Sequence, residues 1–180
     1  KDRAAIRDHV FQALRCRASY AWLGGAQTGR GVMLGAMRAA GQVDEMFSGI
    51  AHAPRVVEDG EDARAIEDAD RATQNDMPEW LLPHFDGALG ADADGVMETL
   101  KTRAGVFLRV NAARTDTMEM IDALARDGVT AVLVRDIKNA LQVTDNERRV
   151  AQTDAYLAGL IELQDASSQH AMNALGLTAG

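Results

Sequence analysis

Several things are scarce in this 180-residue chain. Cysteine occurs once, as Cys16, which excludes an internal disulfide and fits a reducing, cytoplasmic setting. Aromatic residues make up only 4% of the chain, so Ala, Leu, Val and Met must fill the core. No apolar run reaches the ~18 residues that a membrane-spanning helix needs, so no membrane partner is expected. The four histidines, His9, His52, His84 and His170, are isolated. No two share an element at ligand spacing, so no metal site is expected. Positive charge is also short: 19 Lys and Arg against 27 Asp and Glu leave a net charge of −8. That balance weighs against wholesale nucleic-acid binding.

The charge is unevenly spread. Residues 1–38 carry seven basic and two acidic side chains, residues 39–98 three and fifteen, and residues 99–180 nine and ten. A basic head, an acidic middle and a balanced tail follow. The head, with Lys1, Arg3, Arg7, Arg15 and Arg17 on one helical stretch, could meet phosphates or could be a solvated face. The acidic middle reads as a solvated linker.

The hydrophobic period divides the chain further. Residues 2–23 read as one amphipathic helix with Ile6, Val10, Leu14 and Ala18 at i+4 spacing, stopped by Gly24-Gly25. Residues 30–40 and 44–47 read as further helices, so the first 50 residues are all-α. Residues 51–76 have little to bury, although 62–72 could be helical. Pro78 opens a helix anchored by Trp80, Leu81, Leu82 and Phe85, and Pro83 restarts it. A helix over 92–102 follows. After Gly105 the period changes to that of strands, at 106–110, 129–134, 140–144 and 160–163. A helix over 115–127, with Met118, Ile121, Leu124 and Ala125 on one face and Thr115 as its cap, lies between the first two. A last helix covers 167–175. The fold class is therefore α+β: a helical N-terminal domain with an acidic linker over 1–76, then a small RRM-like α+β domain over 77–180. Both ends read as cut, so a longer parent protein is expected.

Three segments carry a resemblance. AGVFLRVNAARTDTMEMIDALARDGV is similar to the "PVFLRVN…T…L…L…GI" stretch of the Sun/Fmu (RsmB-type) family of RNA cytosine-C5 methyltransferases. LAGLIELQDASSQ resembles that family's "VQDEASQ" stretch, and MPEWLLPHF its "P.WL" helix. Together they cover about residues 77–176, in the family order. The resemblance implies a helical head that is NusB-like in some members. It also implies a parent that methylates rRNA with S-adenosylmethionine through a catalytic domain, whose cofactor loop would begin after Gly180. This chain would then be the N-terminal RNA-recognition fragment, binding no cofactor itself. Its partners would be RNA, in particular small-subunit rRNA, and its own C-terminal methyltransferase domain. The alternative is a non-catalytic helical protein-interaction or antitermination-like RNA-binding module.

The residues themselves assemble no catalytic set. Cys16 is the one thiol, has no nearby His in sequence, and reads as a buried structural residue. Gly24, Gly25, Gly29 and Gly31 lack the lysine of a phosphate loop and read as an interhelical turn. Ser167 and Ser168 beside His170 read as helix capping, with Asp165 and Ser168 as the caps. The first RNA-binding candidates are Arg109, a charge inside an apolar strand, and Asn111; Arg109 could equally pair with a carboxylate. Lys101, Arg103, Arg114, Arg148 and Arg149 could add phosphate contacts. Gln164 and Asp165 are expected to shape the junction with the methyltransferase domain.

Overall fold

The computed structural model describes residues 2–175, and the chain divides into two compact units, Lys1–Arg103 and Ala104–Gly180. The sequence pattern puts residues 77–103 with the α+β part, whereas their contacts place them in the helical unit.

The helical unit begins with α1 (Asp2–Arg15) and α2 (Arg17–Leu23). The single helix expected over 2–23 is broken at Cys16, whose φ and ψ are −113° and 33°. The cause is a side chain from far along the chain. The Ser19 backbone N–H and hydroxyl donate to the two Asp76 oxygens at 2.9 and 2.5 Å, so the N–H is drawn to a capping carboxylate. Cys16 itself is buried; burial, and then the nearby Asp76 charge, push its thiol pKa up. The apolar stripe expected to pack inward does not: Ile6, Val10 and Leu14 are all more than half exposed.

Helix α2 lies backbone-to-backbone against α3 (Gly29–Ala40), which Thr28 caps by accepting from the Gly31 N–H. Gly24, Gly31 and Gly35 make the approach possible. A Cβ on Gly35 would stand 1.8 Å from the Tyr20 carbonyl oxygen, and one on Gly24 1.8 Å from that of Gly31. The glycine cluster is thus an interhelical turn and contact. After α4 (Val43–Met46), the core of this unit closes around Leu34, Met37 and Phe47.

The acidic middle is not a free linker. Arg30 grips Glu61 through two parallel bonds of 2.6 and 2.8 Å and also donates to the Arg55 and Val56 carbonyls. Arg38 ties down the carbonyls of Glu61, Asp62 and Leu23. The helix expected over 62–72 shrinks to a 3-10 turn, Ile66–Asp68, and a single α-turn, α5 (Arg71–Gln74). Side chains take carbonyls of this stretch instead: Arg38 that of Asp62, the Trp22 indole that of Ala65 and the Gln74 amide that of Ala69.

The Arg30 bonds hold the Glu61 carboxyl down at about 2, against 4.5 for an ordinary glutamate. A depressed folded-state pKa contributes stability that is complete above the unfolded value and lost as protons bind. The anchor of residues 55–62 is therefore expected to weaken between about pH 4.5 and pH 2, and not above. A carboxyl-carbon NMR titration of Glu61 checks this; a midpoint near 4.5 would show that the ion pair is not formed.

The unit ends with a 3-10 turn, Glu79–Leu81, then α6 (Leu82–Leu89) restarted by Pro83, and α7 (Ala93–Leu100). Arg71 bridges α5 to Asp86 and Asp94, and the Lys101 ammonium donates to the Gln74 carbonyl, which explains why these helices pack with the head. Of the expected anchors Trp80 is 70% exposed, while Leu81, Leu82 and Phe85 are half-buried.

The second unit is built as β1 (Val106–Val110), α8 (Thr117–Arg126), β2 (Thr130–Leu133), β3 (Ala140–Asp145), a 3-10 helix Glu147–Gln152 with α9 (Asp154–Leu157), β4 (Ile161–Leu163) and α10 (Ala166–Ala174). The four strands form an all-antiparallel sheet in the order β2-β3-β1-β4. This is the α+β class expected, with a βαββαβ chain order. The 3-10 helix and α9 carry no periodic signal, because residues 147–157 are short and polar. Asp116, not Thr115, caps α8, accepting from the Met118 and Glu119 N–H groups. Cap and phase shift together: Met120 and Leu124 point into the core, while Met118 and Ala125 stay exposed. Gly128 ends α8 at φ 74°, the left-handed conformation that glycine adopts without penalty. Strand alternation sends Leu108, Val110, Leu141, Val143 and Ile161 into one core with Met120, Leu124 and Val150.

Candidate nucleic-acid interface

Alternation puts Phe107, Arg109, Gln142 and Glu162 on the opposite face from that core. Arg109 and Glu162 stand directly across the β1–β4 ladder and form an ion pair at 2.5 Å, with both side chains about half exposed (53% and 54%). The carboxylate alternative for Arg109 is the one the geometry realises. At that exposure the pair is worth little and is screened by salt, so an incoming phosphate can compete for the guanidinium.

Beside it, a crevice of about 280 Å³ is lined by Arg109, Asn111, Lys138, Asn139, Gln164 and Gln169, among others. Gln169, on α10, is 3% exposed. Its Nε2 donates to the Leu108 carbonyl at 3.2 Å and the Gln164 carbonyl at 2.9 Å. Two carbonyl acceptors fix the amide's orientation, and Oε1 is left buried without a hydrogen-bond partner; Gln164 Oε1 is in the same position. Each such oxygen costs about 1–3 kcal/mol until a donor reaches it.

The other expected residues fall in three groups. Asn111 is a structural linchpin: its backbone N–H donates to Leu160 O at 2.9 Å, its Nδ2 to Gly159 O, and its Oδ1 accepts from the Ala113 N–H. Arg114 donates to the Ala158 carbonyl at 2.7 Å nearby. Arg148 and Arg149 lie at the other end of the unit; both are exposed, Arg148 has an interaction of its own, and the Arg149 guanidinium lies against Gly128. Lys101 and Arg103 belong to the helical unit. The Lys101 ammonium is spent on Glu98 and the Gln74 carbonyl, and Arg103 has an interaction of its own. Asp165 caps α10, accepting from the Ser167 N–H and hydroxyl, which hold its carboxyl below the usual range. Ser167, rather than Ser168, is the partner. In the head, Arg7 pairs with Asp8 at 3.6 Å, and Lys1 lies outside the described residues.

Sequence reasoning missed Gln169 and Lys138. Gln169 is visible in sequence only as part of the DASSQ motif, and Lys138 lies in a turn with no pattern.

These observations define a four-stranded antiparallel sheet with two crossovers. Residues 77–151 match the family described as "Methyltr_RsmF/B-like, ferredoxin-like domain". Those residues are similar to an RsmF/B-like, ferredoxin-like domain. The β4-β1-β3-β2 order and the two crossovers are what that description requires, and the Sun/Fmu resemblance is borne out. The chain is 26% identical, across 98% of its length, to the ribosomal RNA small subunit methyltransferase B of Xanthomonas campestris pv. campestris, of which it covers 46%. It thus spans less than half of that curated relative. A solved methyltransferase homologue from Pyrococcus horikoshii is 21% identical with a TM-score of 0.52, covering 61% of this chain and 36% of its own. That likeness concerns the fold alone.

Among the described residues no doubly wound cofactor crevice is present. The sheet is wholly antiparallel, and no described strand feeds a glycine-rich loop into a helix N-terminus. A nucleotide-binding crevice of the doubly wound type needs that arrangement. Among the described residues, no His, Cys, Asp and Glu cluster could hold a metal.

Proposed function

We propose that this chain is the N-terminal RNA-recognition part of an S-adenosylmethionine-dependent rRNA (cytosine-C5) methyltransferase. The cofactor and the catalytic thiols belong to a methyltransferase domain of the parent protein, and the substrate is small-subunit rRNA in the cytoplasm. The observation that carries the reading is the match of residues 77–151 to the RsmF/B-like, ferredoxin-like domain, within a similarity that runs along 98% of this chain and 46% of an rRNA methyltransferase. The Arg109 face and the Gln164–Gln169 crevice are the candidate contact surface to RNA or to the methyltransferase domain, with Asn111 and Asp165 holding its edges. No helix among the described residues is long and apolar enough to cross a membrane.

Methyl transfer from tritiated S-adenosylmethionine to unmodified small-subunit rRNA tests this. The parent protein is expected to methylate cytosine, the 180-residue chain to be inert, and the parent without this chain to lose activity. If the parent transfers no methyl group to any RNA, the antitermination-like interaction module replaces the enzyme reading.

A further inference from the structure

The helical unit contains a second basic feature, unrelated to the sheet. A concavity of about 550 Å³ is walled by Arg15, Arg17, Arg64, Trp22, Met77 and Asp76, among others. The end of α1, the start of α2 and the irregular acidic segment bring these residues together.

Most other described cations of this unit are engaged, Arg3 on α1 excepted. Arg30, Arg38, Arg71 and Lys101 are each consumed by carboxylates or backbone carbonyls. Among the described residues, Arg15, Arg17 and Arg64 have neither an ion pair nor a hydrogen-bonded acceptor for their guanidinium groups. Among the described residues of the wall the one carboxylate is Asp76, and Ser19 occupies both of its oxygens. Three arginines without an ionic partner therefore line one hollow in a chain of net charge −8. Arg64 is also pre-positioned. Its guanidinium lies over the Trp22 ring, 5.2 Å from the centroid, and the indole N–H is pinned to the Ala65 carbonyl at 2.9 Å.

We propose that this hollow binds the phosphodiester backbone of single-stranded RNA. Guanidinium forks match phosphate oxygens two at a time, and like charges gathered around a hollow are relieved by an anion. The remaining wall is mainly apolar, with Leu14, Met77, Pro78 and the indole beside Gln27 and Thr73, and suits the face of a ribose or base. Binding is therefore sequence-tolerant, as in other arginine and aromatic channels for single strands. The inference rests on the RNA-recognition reading above and adds a second contact region to it.

The test is fluorescence anisotropy of a labelled oligouridylate with the 180-residue chain and with the Arg15→Gln, Arg17→Gln, Arg64→Gln triple variant. The triple variant is expected to bind at least about tenfold more weakly, and its slope of log affinity against log salt to fall by about 2, near 0.7 for each phosphate no longer neutralised. The corresponding triple lysine variant should recover most of the affinity. Thermal melting should fall only slightly, since the one internal contact removed is the exposed stacking of Arg64 on Trp22. Oligouridylate binding that is absent, or unchanged in the triple glutamine variant, overturns the proposal. Polyglutamate competing as well as RNA would redirect it to an acidic protein partner. Uridine monophosphate or inorganic phosphate competing equally would redirect it to a free phosphate ligand. The same triple variant in the parent protein separates this from the function above. Transfer by the parent with unaltered binding by the chain sinks the hollow alone. Weakened binding by the variant chain with no transfer by any parent sinks the enzyme alone.

Discussion

Gly35→Ala will unfold the helical unit. The alanine methyl would sit 1.8 Å from the Tyr20 carbonyl oxygen and 2.6 Å from its carbon. Both atoms are backbone within α2, so no rotamer change relieves the clash. Helices α2 and α3 must separate, and with them goes the closure of Leu34, which is fully buried. Overpacking a core costs about 1–3 kcal/mol where side chains can yield; here nothing yields, so about 3 kcal/mol or more is expected. Gly87→Ala supplies the contrast. It lies in α6 with nothing within 4 Å of the added carbon, and should be neutral or stabilising by up to about 1 kcal/mol. Thermal melting followed by circular dichroism and by Trp22 emission in a Trp80→Phe background compares the two. Equal melting temperatures would show that α2 and α3 do not meet through their backbones.

Gln169→Glu should be the most damaging isosteric change in the second unit. The amide Nε2 serves two carbonyl acceptors from the interior, those of Leu108 and Gln164. A carboxylate puts an oxygen where a donor is required and brings a charge to a site 3% exposed. Removing one side of such an arrangement costs about 3–5 kcal/mol when a buried charge is left uncompensated. Gln169→Met removes the same two bonds but also the partnerless Oε1, so about 1 kcal/mol is expected. Urea unfolding followed by circular dichroism should therefore rank wild type above Met and Met well above Glu. A Glu variant as stable as wild type would mean that the amide is not turned as described. In the parent protein, a Met variant that folds yet loses methyl transfer would assign the crevice a role in binding beyond stability.

Much of the second unit is legible from alternation alone. Val106–Val110 and Ala140–Asp145 are apolar, β-branched runs with polar interruptions, and the strands lie within a residue or so of where the pattern puts them. The run at 129–134 loses a residue at each end to the turn after Gly128 and to the approach to β3. Periodicity misplaces the phase of α8 because Asp116 captures two backbone N–H groups and begins the helix one residue later than a Thr115 cap would. In the head, periodicity predicts one long helix and an inward stripe. Neither holds, because Asp76 takes the Ser19 N–H and no described element covers Ile6, Val10 and Leu14.

Of the candidate binding residues, Arg109 stands out in sequence because a charge inside an apolar strand must face away from the core. Its partner Glu162 could not be foreseen, since pairing depends on the β1–β4 register. Gln169, Arg64 and Trp22 carry no local signal at all.

By itself the sequence determined the class of the fold, the order of its four strands and the resemblance to the Sun/Fmu family. These follow from periodicity, composition and motif order, which are local properties of the chain. The tertiary structure alone decided which arginines are spent and which are free, which glycines carry a helix contact, and that the acidic segment is anchored. It also left two glutamine oxygens waiting for a donor. Those outcomes depend on distances between residues tens of positions apart, such as Ser19 and Asp76 or Leu108 and Gln169, and local sequence does not encode such distances.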